Sequence, residues 1–350
     1  MSDCKGQSFN CLKPQDDECK SDISIPSFCD FLVTERCNLR CRKCRFWQNG
    51  YGIDDEITFE ECRDFIISLK DWVKPSFEIN LGGGETLLKK SILDLIRLCA
   101  GQGFRTAIST NATLIDEKMA KRIADSGLCR LGISLDSLDE DTHDFLTGTA
   151  GSHRRLMKAV EYLKKYWKKG NINIHTVITE RNIDGIKELV EWVNKEDFFT
   201  GVSFIALSQP FRTDMIDKWY LDKAYGLLWP KDLDKTCSTL DMLIAYKNSG
   251  YKILNPMPQL VAYKKYYKSP ESFVRAHKCH FGDYTFNVNV LGLAHLCCFM
   301  QPIGSIKKNN IKDIWYSEAA AKARDSMRNC QKSCNNILNC FFQEKEEEGN

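Results

Sequence analysis

Between residues 28 and 207 short apolar runs alternate with amphipathic stretches, and this alternation restricts the fold more than any other feature of the chain. Cys29–Thr34 reads as a strand. Thr58 then opens a helix, with Glu61 placed to complete a capping box and Phe59, Cys62, Phe65, Ile66 and Leu69 at helical spacing. Phe77–Leu81 is the next strand, and Ser91–Ala100 is helical, with Gly101 where a C-terminal cap belongs. Arg105–Ser109 is a strand; Asp116 caps a helix running to Ala124 and closed by Gly127. Strands at Arg130–Leu135, Asn171–Ile178 and Val202–Leu207 alternate with helices at Ser152–Lys168 and Asp184–Asn194. Six strands alternating with helices predict a parallel sheet wound by right-handed crossovers. Such sheets gather their chemistry in the loops after the carboxyl ends of the strands.

Those loops hold chemistry-bearing residues. The first carries Cys37, Cys41 and Cys44 in the string CNLRCRKC, the second the glycines Gly82–Gly84 and then Glu85. The third carries Asn111 and the fourth Asp136. Thiolates spaced C-x-x-x-C-x-x-C let one loop wrap an iron–sulfur cluster and leave one of its irons without a protein ligand. Zinc is the main alternative, although zinc loops usually pair two short cysteine motifs.

Composition narrows the setting. The chain has 350 residues, a formal net charge of +2, and 49 basic against 47 acidic residues. No basic excess points to nucleic acid or an anionic membrane as partner. No apolar run approaches the roughly 18 residues that span a bilayer. The polar start MSDCKGQSFN lacks the apolar region of a signal peptide, which predicts a cytoplasmic protein. In a reducing compartment, 17 cysteines suggest metal or catalysis rather than disulfides. Cys4, Cys11 and Cys19 are loosely spaced near the start; Cys62, Cys99, Cys129 and Cys237 are isolated; Cys279, Cys297, Cys298, Cys330, Cys334 and Cys340 cluster near the end. Cys298 is expected to be structural, pointing away from Cys297 if the segment is a strand. His175, His277, His280 and His295 read as ordinary packed or exposed histidines, with His280 placed to support Cys279.

From residue 208 to 278 prolines punctuate the chain, and one amphipathic helix spans about Asp232–Lys247. Between Trp219 and Tyr267 the segment is rich in aromatics, including Tyr220, Tyr225, Trp229, Tyr246, Tyr251, Tyr263 and Tyr266. The plain reading is a bridge packed against the preceding sheet; the sharper one is a wall of a substrate pocket.

Four motifs in strand order, CNLRCRKC, LGGGETLL, STNAT and GISLDS, make residues 28–207 resemble the radical S-adenosylmethionine (radical SAM) superfamily. The resemblance implies a partial (β/α)6 barrel in which Cys37, Cys41 and Cys44 hold a [4Fe–4S] cluster whose open iron chelates S-adenosylmethionine. Gly83, Gly84 and Glu85 match the motif that receives the methionine amino group. Ser109, Asn111, Ser134 and Asp136 match positions that contact the rest of the cofactor, with turn formation and helix capping as the ordinary alternative. Two departures stand out. Lys43 occupies the place of the usual aromatic residue before the third cysteine, with Phe46 and Trp47 following it, and Thr147–Gly148 replaces an arginine–glycine pair that binds the cofactor carboxylate.

The C-terminal cysteines and the stretch IGSIKKNNIKDIWYSEAAAKAR resemble the SPASM-type extension of the same enzymes. No cysteine follows Cys340, which implies one auxiliary [4Fe–4S] cluster, as in the shortened "twitch" form. Its ligands would be Cys279 and Cys297 with two of Cys330, Cys334 and Cys340; a zinc-stabilised subdomain is the alternative. The expected division is an N-terminal extension at 1–27, too short for a leader-peptide-binding domain, a barrel at 28–210, an aromatic bridging segment at 211–278, a SPASM/twitch-like domain at 279–342 and an acidic disordered tail at 343–350.

The implied activity is reductive cleavage of S-adenosylmethionine to a 5′-deoxyadenosyl radical that abstracts hydrogen from a substrate. The auxiliary cluster would take or relay an electron, which suits an oxidation or bond formation on a peptide, sugar or cofactor precursor. The implied partners are that substrate and a reducing donor such as flavodoxin or ferredoxin. The competing reading is a non-catalytic iron–sulfur carrier or sensor.

Overall fold

The structure, a computed structural model, describes residues 23–48, 51–210, 218–271, 279–330, 334 and 338–339. Six parallel strands form as the alternation predicts: β1 (Phe28–Thr34), β2 (Glu78–Gly83), β3 (Arg105–Thr110), β4 (Arg130–Ser134), β5 (Asn171–Ile178) and β6 (Gly201–Ala206). Between them lie α1 (Phe59–Leu69), α2 (Ile92–Gly101), α3 (Glu117–Ala124), α4 (Glu140–Thr147), α5 (Ser152–Tyr166) and α6 (Ile186–Lys195). The sheet curves into a partial barrel with Phe31, Ile79, Leu131, Ile133, Ile172 and Ile174 buried beneath the helices.

The caps form where the sequence places them. Thr58 Oγ1 accepts from Glu61 N–H at 3.2 Å while the Glu61 carboxylate accepts from Thr58 N–H at 2.8 Å. Asp116 accepts from Met119 N–H at 2.6 Å. Gly101 is a correction: α2 runs through it, and the left-handed residue that ends the turn is Gly103, φ 86°. The helix α4 has no counterpart in the alternation, because its eight residues bury only His143, Leu146 and Thr147 and make a weak apolar stripe.

The C-terminal region continues the same sheet. β7 (Thr285–Val288) pairs parallel with β1, and β8 (Leu293–His295) and β9 (Gly304–Ser305) follow antiparallel, giving the order β6-β5-β4-β3-β2-β1-β7-β8-β9. Before them come α7 (Leu233–Asn248) and α8 (Met257–Lys268); after them come α9 (Ile311–Trp315) and α10 (Glu318–Arg328). Trp315 is fully buried beside Phe286 and Trp72, 5.9 and 6.2 Å between ring centres. The buried Arg324 guanidinium lies 4.2 Å from the Trp315 ring centre and donates to the carbonyls of Gly282 and Trp315 at 2.9 and 3.0 Å. An aromatic face, two carbonyls and the Asp283 carboxylate, 3.8 Å from Nε, thus offset part of the cost of burying this cation.

The aromatic segment packs, as its plain reading expected. Tyr263, Tyr266 and Tyr267 are buried, and their hydroxyls donate to the carbonyls of Phe204, Leu207 and Ile178 at 3.0, 2.9 and 3.0 Å. These bonds satisfy backbone groups just where β5 and β6 end. The outer edge of β6 is covered as well: Val202 N–H donates to Lys252, and the Asn339 amide exchanges two hydrogen bonds of 2.9 Å with Ala206.

Candidate functional site

β1 delivers the chain to the carboxyl end of the sheet, where residues 35–48 form a loop over the strand ends. Cys37, Cys41 and Cys44 are half-buried there, near enough that Cys44 acts electrostatically on Cys37 and both act on Cys41. Burial pushes the Cys37 thiol up to about 11 and the Cys41 thiol up to about 12, and raises Cys44 as well. At neutral pH all three keep their protons until a metal displaces them.

The donor set suits an iron–sulfur cluster. Three soft sulfurs sit on one loop, and backbone N–H groups already point at two of them: Leu39 at Cys37, 3.5 Å, and Arg45 and Phe46 at Cys44. Residues 35–48 contain no fourth cysteine. Among the described residues no three His, Cys, Asp or Glu side chains converge as a single metal ion requires. A cluster makes a different demand, since each thiolate would bind a different iron and the three need not converge on one point.

The loop is clamped from several sides. The Trp47 indole donates to the Cys44 carbonyl at 3.0 Å, with the Arg40 guanidinium 5.3 Å from its ring centre. Arg40 N–H donates to Thr147 O at 3.1 Å and Arg42 N–H to Leu146 O at 2.9 Å, which docks the loop on the end of α4. Gly148, φ 63°, ends that helix, and a Cβ there would overlap the Arg40 carbonyl. The Thr147–Gly148 pair therefore seats the cysteine loop. Beneath it, the buried Glu56 carboxylate accepts from Thr34, from Arg36 Nε at 2.8 Å and from Lys89 Nζ at 3.2 Å. Burial alone would raise Glu56, but Arg36, Thr34 and Lys89 outweigh it and hold the carboxyl below its ordinary value.

Gly83 and Gly84 are required by the sheet itself. A Cβ on Gly83, φ 135°, would overlap the Thr34 carbonyl, and one on Gly84 would overlap the carbonyls of Glu35 and Arg36. Gly84 and Glu85 N–H groups donate to Thr34 and Arg36 at 2.9 and 2.8 Å, tying the second loop to the first. The Glu85 carboxylate is fully buried and accepts from Leu87 N–H at 3.1 Å, Thr110 Oγ1 at 2.7 Å and Asn111 N–H at 2.8 Å. Burial raises its carboxyl against those three bonds. Its oxygens thus join the ends of β2 and β3.

Asn111 links the third loop to the first: its amide donates to Asn38 Oδ1 at 3.0 Å and its Oδ1 accepts from Thr113 N–H at 3.0 Å. Its side chain is thus a turn-former as well as a bridge. Ser109 and Ser134 are half-buried on β3 and β4. Gly132 lies between Ser109 and His175, and a Cβ there would strike the imidazole. Burial holds His175 down to about 4, so the ring is neutral.

Asp136 is buried and does three things. It ion-pairs with Lys43 of the cysteine loop, its Oδ1 accepts from Val177 N–H at 3.1 Å, and its own N–H donates to His143 Nδ1 at 3.3 Å. The sequence marks Lys43 only as a departure from a pattern. A lysine between two cysteines of a loop that must bury them needs a carboxylate partner, but the sequence does not say which carboxylate. Glu56 and His143 carry no comparable mark.

The C-terminal cysteines are spread more widely. Cys279 and Cys297 are half-buried against the core, Cys330 follows α10, and Cys334 is half-buried. Cys297 and Cys298 lie in the turn after β8 and not in a strand; Cys298 is exposed. Cys340, with Cys4, Cys11, Cys19 and His277, lies outside the described residues. His280 pairs with Asp283 at 2.9 Å. Cys29, Cys62 and Cys99 are core residues.

Residues 31–193 match the Radical SAM superfamily, and residues 279–340 match a SPASM iron–sulfur cluster-binding domain. The AdoMet-dependent heme synthase of Methanosarcina barkeri is 28% identical over 168 residues, 48% of this chain and 47% of that protein. The chain spans about half the length of the curated relatives it matches. Streptococcus suis SuiB bound to precursor peptide SuiA superposes with a TM-score of 0.67 at 18% identity, covering 91% of this chain and 70% of that one. The structure of anSMEcpe with bound AdoMet and a peptide gives 0.64 at 18%, covering 90% and 88%. At that identity the two structures speak for the fold alone. The radical SAM family implies a [4Fe–4S] cluster and S-adenosylmethionine, and the SPASM domain implies auxiliary iron–sulfur clusters. The chain belongs to the radical SAM superfamily and carries a SPASM domain at its C-terminal end.

Proposed function

We propose that this chain is an enzyme in which Cys37, Cys41 and Cys44 hold a [4Fe–4S] cluster and the adjoining strand ends hold S-adenosylmethionine. When bound, the reduced cluster supplies the electron that splits the cofactor into methionine and a 5′-deoxyadenosyl radical, which takes hydrogen from the substrate. The chain's own contribution is position. The backbone at Gly83–Glu85 receives the cofactor's amino group, with the Glu85 carboxylate fixing that backbone through Leu87, Thr110 and Asn111. Ser109, Asn111, Ser134 and Asp136 border the same space from β3 and β4. Cys279 and Cys297, with two of Cys330, Cys334 and Cys340, hold one auxiliary [4Fe–4S] cluster that takes or relays an electron.

The reaction is an oxidation or bond formation on a peptide, sugar or cofactor precursor. A reducing protein such as flavodoxin or ferredoxin supplies the electron, and the setting is cytoplasmic. Among the described residues no helix is long and apolar enough to cross a membrane. The barrel occupies 28–210, the aromatic bridge 211–278 and the auxiliary-cluster region 279–342, with 1–27 and 343–350 flanking them.

The observation that carries this reading is the convergence of four strand-end loops. Asn38–Asn111, Glu85–Arg36 and Lys43–Asp136 each tie the cysteine loop to another of these loops, and Arg40–Thr147 ties it to the end of α4. A thiol cluster serving only as an electron carrier needs no such assembly around it. The test is anaerobic reconstitution, dithionite reduction and measurement of 5′-deoxyadenosine. Product from the wild-type chain and none from C41A is expected; equal product from both refutes the reading.

A further inference from the structure

We infer that the Lys43–Asp136 pair, half-buried at Lys43 and buried at Asp136, sets the reduction potential of the cluster held by Cys37, Cys41 and Cys44. This rests on the cluster assignment above and adds to it a positioning role for two residues. Lys43 stands between Cys41 and Cys44 in sequence, and its positive charge acts on both thiols. Its partner Asp136 acts on Cys41 in the opposite sense. Their side chains are 14% and 2% exposed, so solvent screens neither charge well. Asp136 is fixed by Val177 N–H, and its backbone is fixed by His143 and by Asn182, whose amide donates to Asp136 O at 2.7 Å. The pair is thus a fixed dipole beside the loop, and on Cys41 the ammonium acts more strongly than the carboxylate.

On one-electron reduction the cluster gains a negative charge and no bond changes. A fixed cation beside it favours the reduced state, and a fixed anion opposes it. The two residues therefore pull the potential in opposite directions, and the wild-type value is their balance. A purely mechanical strut behaves otherwise, since losing either end loosens the loop in the same way.

The test uses the full chain, reconstituted anaerobically and titrated with dithionite. The relevant cluster is identified by the change in its EPR signal when S-adenosylmethionine is added. K43M is expected to shift its potential to more negative values and D136N to more positive values. K43M/D136N should fall between the two single variants. Asn at 136 keeps an oxygen for Val177 N–H, and Met at 43 keeps the apolar stem, so both single variants preserve the packing. Shifts of the same sign, no shift in either, or loss of the cluster in both overturn the inference while leaving the cluster reading intact. A wild-type chain with no cofactor-sensitive cluster signal overturns both.

Discussion

The two cysteine regions are held in opposite ways. The first is one short loop tied by hydrogen bonds and a buried ion pair to the loops after β2, β3 and β4. The second gathers its cysteines from separate pieces of chain: the entry to β7, the turn after β8 and the stretch beyond α10. Its frame is apolar, built on Trp315, Phe286 and Trp72. Polar ties fix a loop to within a bond length and suit a site that must present a cofactor. Apolar packing fixes whole elements, which is enough where a cluster itself completes the structure.

Cys41→Ala should expose the division most sharply. It is expected to abolish 5′-deoxyadenosine formation and to remove roughly half of the bound iron, leaving the second region loaded. Iron falling to zero would show that the two regions are coupled. Cys297→Ala should do the reverse: half of the iron lost, deoxyadenosine still formed, substrate conversion gone. Full conversion by C297A would strip the second region of its redox role.

Stability measurements sharpen the contrast. Trp315→Ala should cost roughly 3–5 kcal/mol in chemical denaturation of the apo chain, because the indole anchors α9 against β7 and also carries Arg324. A loss under about 1 kcal/mol would mean that the frame lies elsewhere. The first region should instead be acid-labile. Burial holds His143 down to about 4 against an ordinary value of 6.5, with the Asp136 charge pulling the other way. The unfolded chain therefore binds the proton first. Stability from this group is complete above pH 6.5 and is lost as pH falls toward 4, by about 3 kcal/mol. His143→Asn should remove that part of the pH slope and leave the share due to His175. An unchanged slope would exclude His143 as its source.

The strands of the barrel were legible because each parallel strand, covered by helices, must be a short apolar run between capping signals. α4 was hidden because its stripe is narrow, and β7–β9 were hidden because three short strands leave little periodicity. The loop positions of the site were legible from strand order alone. The partners inside it were not: Lys43 meets Asp136 across 93 positions of sequence, and Thr34 meets Glu56 through a turn with no motif. Glu85 shows the converse. Its motif implies a place for the cofactor's amino group, and the fold turns its carboxylate inward onto three protein donors.

β1 feeds the cysteine loop and is an interior strand only because β7 lies beside it. The backbone bond from Ser27 to Tyr284 closes a span of 257 residues. During synthesis the ribosome therefore releases β1 and the loop long before the neighbour that covers them. Until then the strand presents a bare edge, and the thiols sit on a half-finished support. Contacts this distant in sequence form late, so the support of the cysteine loop is complete only once β7 has paired with β1. A nascent or prematurely terminated chain would expose the β1 edge to pairing with other chains.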